Sequence, residues 1–317
     1  MYRVNYNDST GIMKKLLSLA LLIISVSSLS FGQQDPQFSQ NMFNRLYSNP
    51  AYAGSSEGIC GTLLYRNQWT GFDGAPKTGL FSIDAPVNFL HGGLGVTVLA
   101  ADELGFENTF MAKLAYAFRF NIGQGNLAIG ADFGFLQKSI DGDFKSNDPN
   151  DPIIPTSSVS GNIFPDLGAG IYYNSDKLYL GASASHLLES EVDYGDFTTQ
   201  MARHFYFMGG YRIEFSPAVS LIPSFLVKNV ADQTQLDINA NLHFNNRFWI
   251  GGSYRLDDAV VAMAGLNITP NLRLGYSYDF TTSDLKDYSS GTHEIMLGYC
   301  YKIKKKITPI NRNVRFL

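Results

Sequence analysis

The alternation of apolar and polar side chains constrains this chain more than any other feature. Over residues 271–280 nearly every second residue is apolar, and polar residues or glycine lie between them. A similar period recurs in residues 205–215, 236–244, 247–256 and 294–301. Side chains of a β-strand point alternately to its two faces, so this period indicates strands with one apolar face. The chain is therefore expected to be all-β.

Composition indicates which β architecture is expected. The 317 residues are 45% hydrophobic, 14% aromatic and only 16% charged, with 30 glycines, whereas soluble domains are about 25% charged. The polar faces carry both charge signs with Gly and Ser, and the apolar faces are rich in aromatics, as in outer-membrane barrels. A secreted β-sandwich shows the same alternation and is the alternative. The net charge of −4 argues weakly against a nucleic-acid partner.

The connections predict the strand number and the positions of the termini. About 14 strands are expected, starting near residues 58, 77, 92, 109, 126, 165, 177, 202, 218, 234, 247, 259, 271 and 292. Short turns join alternate strand pairs, at residues 121–125, 174–177, 216–218, 245–246 and 269–271. Bacterial barrels have an even strand number and short periplasmic turns. We therefore expect an antiparallel outer-membrane β-barrel with both termini periplasmic.

The N-terminal region has the features of a secretory signal. Lys14 and Lys15 precede an apolar run over residues 16–30, and Ser30-Phe31-Gly32 supplies small residues for cleavage before Gln33. No cysteine directly follows the apolar run, so a lipoprotein anchor is not expected. The predicted division of the chain is 1–32 upstream residues plus signal peptide, 33–56 lead-in, 57–302 barrel and 303–317 basic tail.

Three stretches carry a resemblance to a known family: DPQFSQNMFNRLYSNPAYAG (residues 35–54), YRNQWTGFDGAPK (65–77) and GGLGVTV (92–98). Over essentially the whole mature chain, the sequence resembles the PorP/SprF family of type IX secretion system membrane proteins. The resemblance implies an outer-membrane β-barrel of Bacteroidetes that works with the type IX secretion and gliding machinery. It also implies two kinds of partner, namely secreted cargo proteins with C-terminal sorting domains and periplasmic secretion-ring proteins of the PorK/PorN type.

The sequence leaves two interpretations open for each of two segments outside the strands. Residues 35–54 are punctuated by Pro and Gly and carry Phe38, Phe43, Tyr47 and Tyr52. They fit either inside the mouth of the barrel lumen, with the aromatics on the wall, or in a periplasmic tail that tethers the first strand. The C-terminal tail is either a solvated end or an electrostatic contact to a periplasmic partner; its basic residues are Lys302, Lys304, Lys305, Lys306, Arg312 and Arg315.

Charged residues on the polar strand faces are candidates for the lumen. The candidate lumen or partner contacts are Arg66, Trp69, Lys77, Arg212, Asp237, Arg255, Arg273 and Asp279. Further lumen candidates are Lys113, Arg119, Asp132, Glu214, Lys228, Arg247 and Glu294. A lumen lined by side chains of both charge signs is compatible with two states: one filled by salt-bridged side chains, and one open as a weakly selective pore. An outer-membrane channel or transporter for small solutes is therefore the alternative function.

Catalytic and metal-binding signatures are not found in the sequence. The five histidines are scattered over separate strands and turns, and neither G-x-S-x-G nor H-E-x-x-H occurs. The loop over residues 141–152 has Lys145 and Ser146 where a calcium loop needs an oxygen ligand and Gly. We therefore expect no enzyme activity, no cofactor and no metal.

The two cysteines are predicted to lie close together. Cys60 falls near the start of the first strand and Cys300 near the end of the last, and both alternate with inward-facing residues. First and last strands of a closed barrel are antiparallel neighbours, and paired Cα atoms lie about 4.5–5.5 Å apart, within disulfide range. The register of the two strands is unknown, so three alternatives are open. The cysteines form a disulfide, they lie near each other without a bond, or they are unrelated small residues at strand ends.

Overall fold

The computed structural model describes residues 35–56, 58–71, 74–103, 105–141, 158–195 and 197–302. The predicted signal peptide, residues 303–317 of the basic tail and nearly all of the 141–152 loop lie outside these ranges. No helix within the described ranges is long and apolar enough to cross a membrane.

The described chain is a closed antiparallel barrel. Consecutive strands pair along the sheet, and the first strand pairs with the last, which closes the cylinder. The predicted barrel of 14 strands is confirmed. Strands are numbered along the whole chain, so the numbers run to 17: β8 (Glu191–Asp193) and β9 (Thr198–Gln200) lie outside the barrel, and β11 continues β10. The barrel strands are β1 (Gly58–Asn67), β2 (Lys77–Val87), β3 (Gly92–Glu103), β4 (Glu107–Ile122), β5 (Gly125–Ile140), β6 (Val159–Asn174), β7 (Leu178–Ser185), β10 (His204–Tyr211) with β11 (Ile213–Ser216), β12 (Val219–Val230), β13 (Gln233–Phe244), β14 (Phe248–Arg255), β15 (Ala259–Asn267), β16 (Leu272–Thr281) and β17 (Thr292–Lys302).

The alternation separates an apolar outer face from a polar inner face. In β16, Tyr276 is 43% exposed on the outside, whereas its neighbour Ser277 is fully buried inside. The outer face repeats this pattern around the cylinder with exposed Phe, Tyr, Leu and Ile side chains, as in Phe133, Phe207 and Ile250. An apolar outer surface is stable in the hydrocarbon of a membrane, where water is absent.

The two rims of the barrel differ in their connections. One rim, here the short-turn rim, carries the turns at residues 88–91, 123–124, 175–177, 217–218, 245–247 and 268–271. The opposite, long-loop rim carries the connections 68–76, 141–158, 186–203 and 282–291. It also has brief connections at 104–106, 231–232 and 256–258, so long loops do not join every strand pair there.

A small hairpin covers part of the lumen at the long-loop rim. β8 (Glu191–Asp193) pairs with β9 (Thr198–Gln200) in a separate two-stranded sheet. Tyr194 is buried, and its hydroxyl donates to Glu107 Oε1 over 2.8 Å. The sequence indicated only a longer link here, because three-residue strands are too short to show a period.

The two described ends of the chain lie toward opposite rims. Lys302 ends β17 at the short-turn rim, where β1 begins. Asp35 lies instead in the long-loop half of the lumen, where its backbone N–H donates to Nε2 of His204, the first residue of β10. Both termini are predicted to be periplasmic, on the short-turn side; the residues before Asp35 and after Lys302 lie outside the described ranges, so this stays a prediction. The described part of the lead-in runs through the lumen before β1 starts.

The barrel closes at the seam between β1 and β17. Cys60 is directly opposite Cys300 in this pairing, with the two Cα atoms 4.0 Å apart, and a disulfide joins them. Both cysteines line the inner side of the wall beside Thr62 and Met296. The register left open by the sequence is thus the one that brings the two thiols together.

The seam disulfide is a direct test of this register. In a digest of the purified protein prepared without reductant, mass spectrometry should find the peptide containing Cys60 linked to the peptide containing Cys300. Reduction before digestion is the control and should release both peptides. Quantitative alkylation of both thiols in the unreduced, denatured protein would contradict the pairing.

Candidate functional site

Residues 35–54, here called the plug, fill the lumen of the barrel. The segment starts in the long-loop half, crosses the lumen and leaves at the short-turn rim, where it continues into β1. Gln40, Asn49, Ala51 and Ala53 have no accessible surface. Of the two placements that the sequence left open for this segment, the structure shows the lumenal one.

Short helical turns give the plug its compact shape. They are the 3-10 turns Asn41–Phe43 and Pro50–Tyr52 and the α-helical turn Arg45–Ser48. The Asn49 side chain caps the last turn by accepting from the Ala51 backbone N–H at 2.9 Å. Asn is a favoured N-cap, and Pro is favoured at the first helical position because its missing N–H would be unpaired there. The Asn-Pro pair therefore encodes this turn.

The first anchor of the plug, here the seam cluster, joins it to inward-facing charges near the seam. The seam cluster consists of Arg66, Asp237, Arg255, Asp279 and Glu294. Arg66 forms ion pairs with Asp279 at 2.8 Å and with Glu294 at 3.1 Å. The backbone N–H groups of plug residues 39 and 40 donate to the two carboxylate oxygens of Glu294, each at 2.8 Å. The plug thus supplies hydrogen bonds that these buried charges need.

Arg255 connects the remaining members of the seam cluster. It lies 3.2 Å from Asp237 and 3.4 Å from Asp279. Its Nη2 also donates to the plug hydroxyl of Ser39, which in turn donates to Asp279. Because all of these side chains are buried, each charge depends on the others and on the plug for its stability.

The second anchor, here the Asp35 cluster, lies on the opposite wall. The Asp35 carboxylate lies 3.0 Å from His186 Nε2 and accepts from the Tyr206 hydroxyl at 2.9 Å. His186 Nδ1 is also 3.1 Å from Asp166, which forms an ion pair with Lys113. Asp35 therefore has donors on two sides, and His186 bridges it to Asp166.

Three residues of this region have the chemistry of metal ligands. Oxygen and nitrogen atoms of Asp35, His186 and His204 all lie within 4.8 Å of one another. However, both His186 nitrogens face carboxylates, while His204 Nε2 accepts from the Asp35 backbone N–H and Nδ1 lies 2.9 Å from the Ala202 carbonyl. A metal ion would have to displace these interactions. The trio is better described as an anchor of the plug than as a metal centre.

The plug is held at the short-turn end by backbone contacts. The Arg119 guanidinium donates to the carbonyl oxygens of Ala51, Tyr52 and Ala53, where the last 3-10 turn ends. The Gly54 N–H donates to Asp84 Oδ2 at 2.9 Å. A cation at the carbonyl end of a helical turn satisfies acceptors that have no partner within the turn.

Glycines of the barrel wall let the plug lie against the strands. A Cβ on Gly130 would lie 2.5 Å from Ala51 Cα, and one on Gly93 would lie 2.4 Å from Gly54 Cα. A Cβ on Gly170 would lie 2.3 Å from Asn49 Oδ1. Side chains at these positions would occupy the space of the plug. The wall and residues 49–54 are therefore complementary in shape.

The structure brings together some of the predicted lumen residues. Arg66, Asp237, Arg255 and Asp279 meet in the seam cluster. Arg273 lies in the short-turn half over the Phe43 ring.

The other predicted lumen or partner residues are not part of this arrangement. Arg212 lies apart from it, near the short-turn rim, and donates to Ser220 Oγ. Trp69 is in the 68–76 loop with φ 49°. Lys77 is on the exposed outer face of β2 and is therefore not a lumen residue, because the inward positions of that strand are the even-numbered ones starting at Thr78.

The Asp35 cluster was missed by sequence reasoning. His186 and His204 are 18 positions apart in the chain, and scattered histidines were interpreted as unrelated. The β7–β10 pairing places His204 opposite Ser185, directly beside His186. The register of that pairing cannot be predicted from the sequence, because a period of two residues leaves it free. The contribution of Asp35 depends in addition on the plug lying inside the lumen.

Comparison with known protein families gives one match. The family model described as type IX secretion system membrane protein PorP/SprF matches residues 30–299. No curated protein sequence matches the chain.

Solved structures with a similar fold are remote in sequence. A Pseudomonas aeruginosa FadL homologue is 11% identical, with a TM-score of 0.46 over 86% of this chain and 96% of that one. The Ralstonia pickettii toluene transporter TbuX is 10% identical, with a TM-score of 0.48 over 82% and 93%.

Removing the central cation of the seam cluster should destabilise the barrel. In Arg66→Leu, Asp279 and Glu294 stay buried without their partner, and we expect a loss of about 3–5 kcal/mol in the free energy of unfolding. Denaturant unfolding of the refolded barrel in detergent measures this loss. Arg247→Leu, at an exposed turn, is the matched control and should change the free energy by no more than about 0.5 kcal/mol. Equal effects of the two substitutions would refute the anchoring role of Arg66.

A methyl group on the wall should displace the plug. In Gly130→Ala the new Cβ would overlap Ala51, so we expect a loss of about 1–3 kcal/mol and a higher single-channel conductance in planar bilayers. Gly79→Ala is the control, since its Cβ would lie 3.9 Å from the nearest atom, the carbonyl oxygen of Ala100. Unchanged conductance and stability in Gly130→Ala would show that the plug does not rest on this glycine.

Proposed function

The chain belongs to the PorP/SprF family of type IX secretion system membrane proteins, and from this premise we propose that it assists the export or cell-surface anchoring of cargo proteins. The cargo proteins are those with C-terminal sorting domains, and periplasmic secretion-ring proteins of the PorK/PorN type are the second class of partner. The protein is an outer-membrane β-barrel. Its role in the secretion and gliding machinery would then be that of a docking component.

The filled lumen is the observation that carries this proposal. The plug crosses the barrel and is held by ion pairs or hydrogen bonds at opposite walls and at the short-turn rim. An open porin has a water-filled channel, whereas filled barrels present their rims and loops. A filled cylinder supports a role in binding other proteins rather than in passing solutes.

The proposed role is non-enzymatic. General acid–base or nucleophilic catalysis needs a reactive side chain that can reach a substrate. Two inward-facing histidines, His186 and His204, contact the plug residue Asp35. These contacts support a structural use of both side chains.

Genetic deletion tests the proposed function. Loss of the gene should abolish surface display of a partner with a C-terminal sorting domain, measured by antibody labelling of intact cells. Display should return with the wild-type gene on a plasmid. The total amount of partner in lysates is the control for its synthesis. Normal display combined with reduced small-solute uptake would overturn the proposal and favour a channel.

Electrophysiology is an independent test of the alternative function as a solute channel. The purified wild-type barrel should show little conductance in planar bilayers, because the plug occupies the lumen. A variant lacking residues 35–54 should conduct through the emptied cylinder if it still migrates as a folded barrel on unheated gels. High conductance of the wild-type protein would argue against the filled-lumen interpretation.

A further inference from the structure

A cavity lies on the short-turn side of the plug. Its volume is about 200 Å³, and it lies between the plug and the wall formed by β1, β2, β16 and β17. The cavity reaches the turn that joins β15 to β16. Its lining includes Asn44 of the plug and Thr62, Asp84, Asn271, Arg273 and the seam cystine of the wall.

Arg273 is a partly buried cation with no acidic partner. Its Nε donates to Asn267 Oδ1 at 3.2 Å, and its guanidinium lies 5.1 Å from the centre of the Phe43 ring. Within the described ranges, no carboxylate forms an ion pair with it and its two terminal nitrogens have no hydrogen-bond partner. The lumenal cations Arg66, Arg255 and Lys113, by contrast, each pair with carboxylates.

Asn44 adds an unused hydrogen-bond donor to the cavity lining. Its Oδ1 accepts from Ser82 Oγ at 2.8 Å, whereas its Nδ2 has no partner in the described part of the chain. The side chain is 5% exposed. A buried donor without an acceptor is unfavourable. An acceptor on a bound group would remove that cost.

This end of the lumen carries excess positive charge. Arg45 lies 3.7 Å from the centre of the Tyr179 ring and donates to the Tyr172 hydroxyl, with no carboxylate among its described contacts. Arg119 is held by the carbonyl oxygens of the plug. Asp84 also lines the cavity and accepts from the Gly54 N–H. Three strand spacings of about 4.8 Å separate the β2 and β16 walls that carry Asp84 and Arg273.

We propose that this cavity binds a phosphate-type oxyanion at Arg273. A guanidinium donates two parallel hydrogen bonds to such a group, and a phosphate has further oxygens for amide and hydroxyl donors such as those of Asn44, Asn271 and Thr62. The source of the oxyanion is either free phosphate or a phospholipid headgroup that enters at the short-turn rim. Phosphate binding at Arg273 does not depend on the proposed role in cargo export.

Calorimetry with inorganic phosphate tests the site. The full mature chain, refolded in a maltoside detergent, should bind phosphate. Arg273→Gln should weaken binding about tenfold or more, as expected for the loss of a charge-assisted pair. Arg273→Lys keeps the charge but loses the planar fork and should give an intermediate affinity. Arg212→Gln, at the same rim but bonded to Ser220, is the matched control and should bind like the wild type.

Two outcomes overturn the assignment. The first is no phosphate binding by the wild-type chain at millimolar concentration. The second is equal affinity in the wild type and Arg273→Gln, with both proteins shown to be folded by heat-modifiable migration on gels.

Phospholipid nanodiscs distinguish the sources of the oxyanion. A site that takes headgroups is already filled in nanodiscs and gives no response to added phosphate. A site for free phosphate responds equally in nanodiscs and in detergent.

Discussion

The rest of the structure depends on one electrostatic constraint, namely that charges enclosed in the lumen need partners there. Arg66, Asp279 and Glu294 are all nearly inaccessible to solvent, and isolated charges in such surroundings are unstable by several kcal/mol or more. The strands alone supply part of the compensation. The plug supplies the rest through backbone N–H groups and the Ser39 hydroxyl. A lumen with this charge pattern is complete only when the segment lies inside it.

This arrangement explains how an irregular segment finds partners for its polar groups. On the opposite wall Asp35 satisfies His186 and Tyr206, and toward the short-turn rim Arg119 satisfies carbonyl groups that the last turn leaves free. The segment has little regular structure, but its polar groups are distributed among partners on many strands. The conformation of the segment is set by its contacts with the surrounding barrel and not by helix or strand propensity.

Much of the barrel follows from local sequence, and much of the lumen does not. Strands with one apolar face, such as Leu272–Thr281, can be predicted from the sequence, because the polarity of each side chain matches the face of the wall on which it lies. The same alternation assigns Arg66 and Asp279 to the face that lines the lumen. Their mutual contact depends on the register of β1 and β16 against β17, which a period of two residues leaves free. The β8–β9 hairpin and the contact of Asp35 with His186 require the tertiary fold, so no local pattern indicates them.

The position of the seam has a consequence for the order of folding. Arg66 on β1 and Glu294 on β17 face each other in the pairing that closes the cylinder, and both bind the plug. Closing the seam and seating the lumenal segment therefore use the same atoms. A cylinder closed first would bring these charges together without their hydrogen-bond donors. Closure around the seated segment would instead bring each of these charges to its hydrogen-bond donors in the same step.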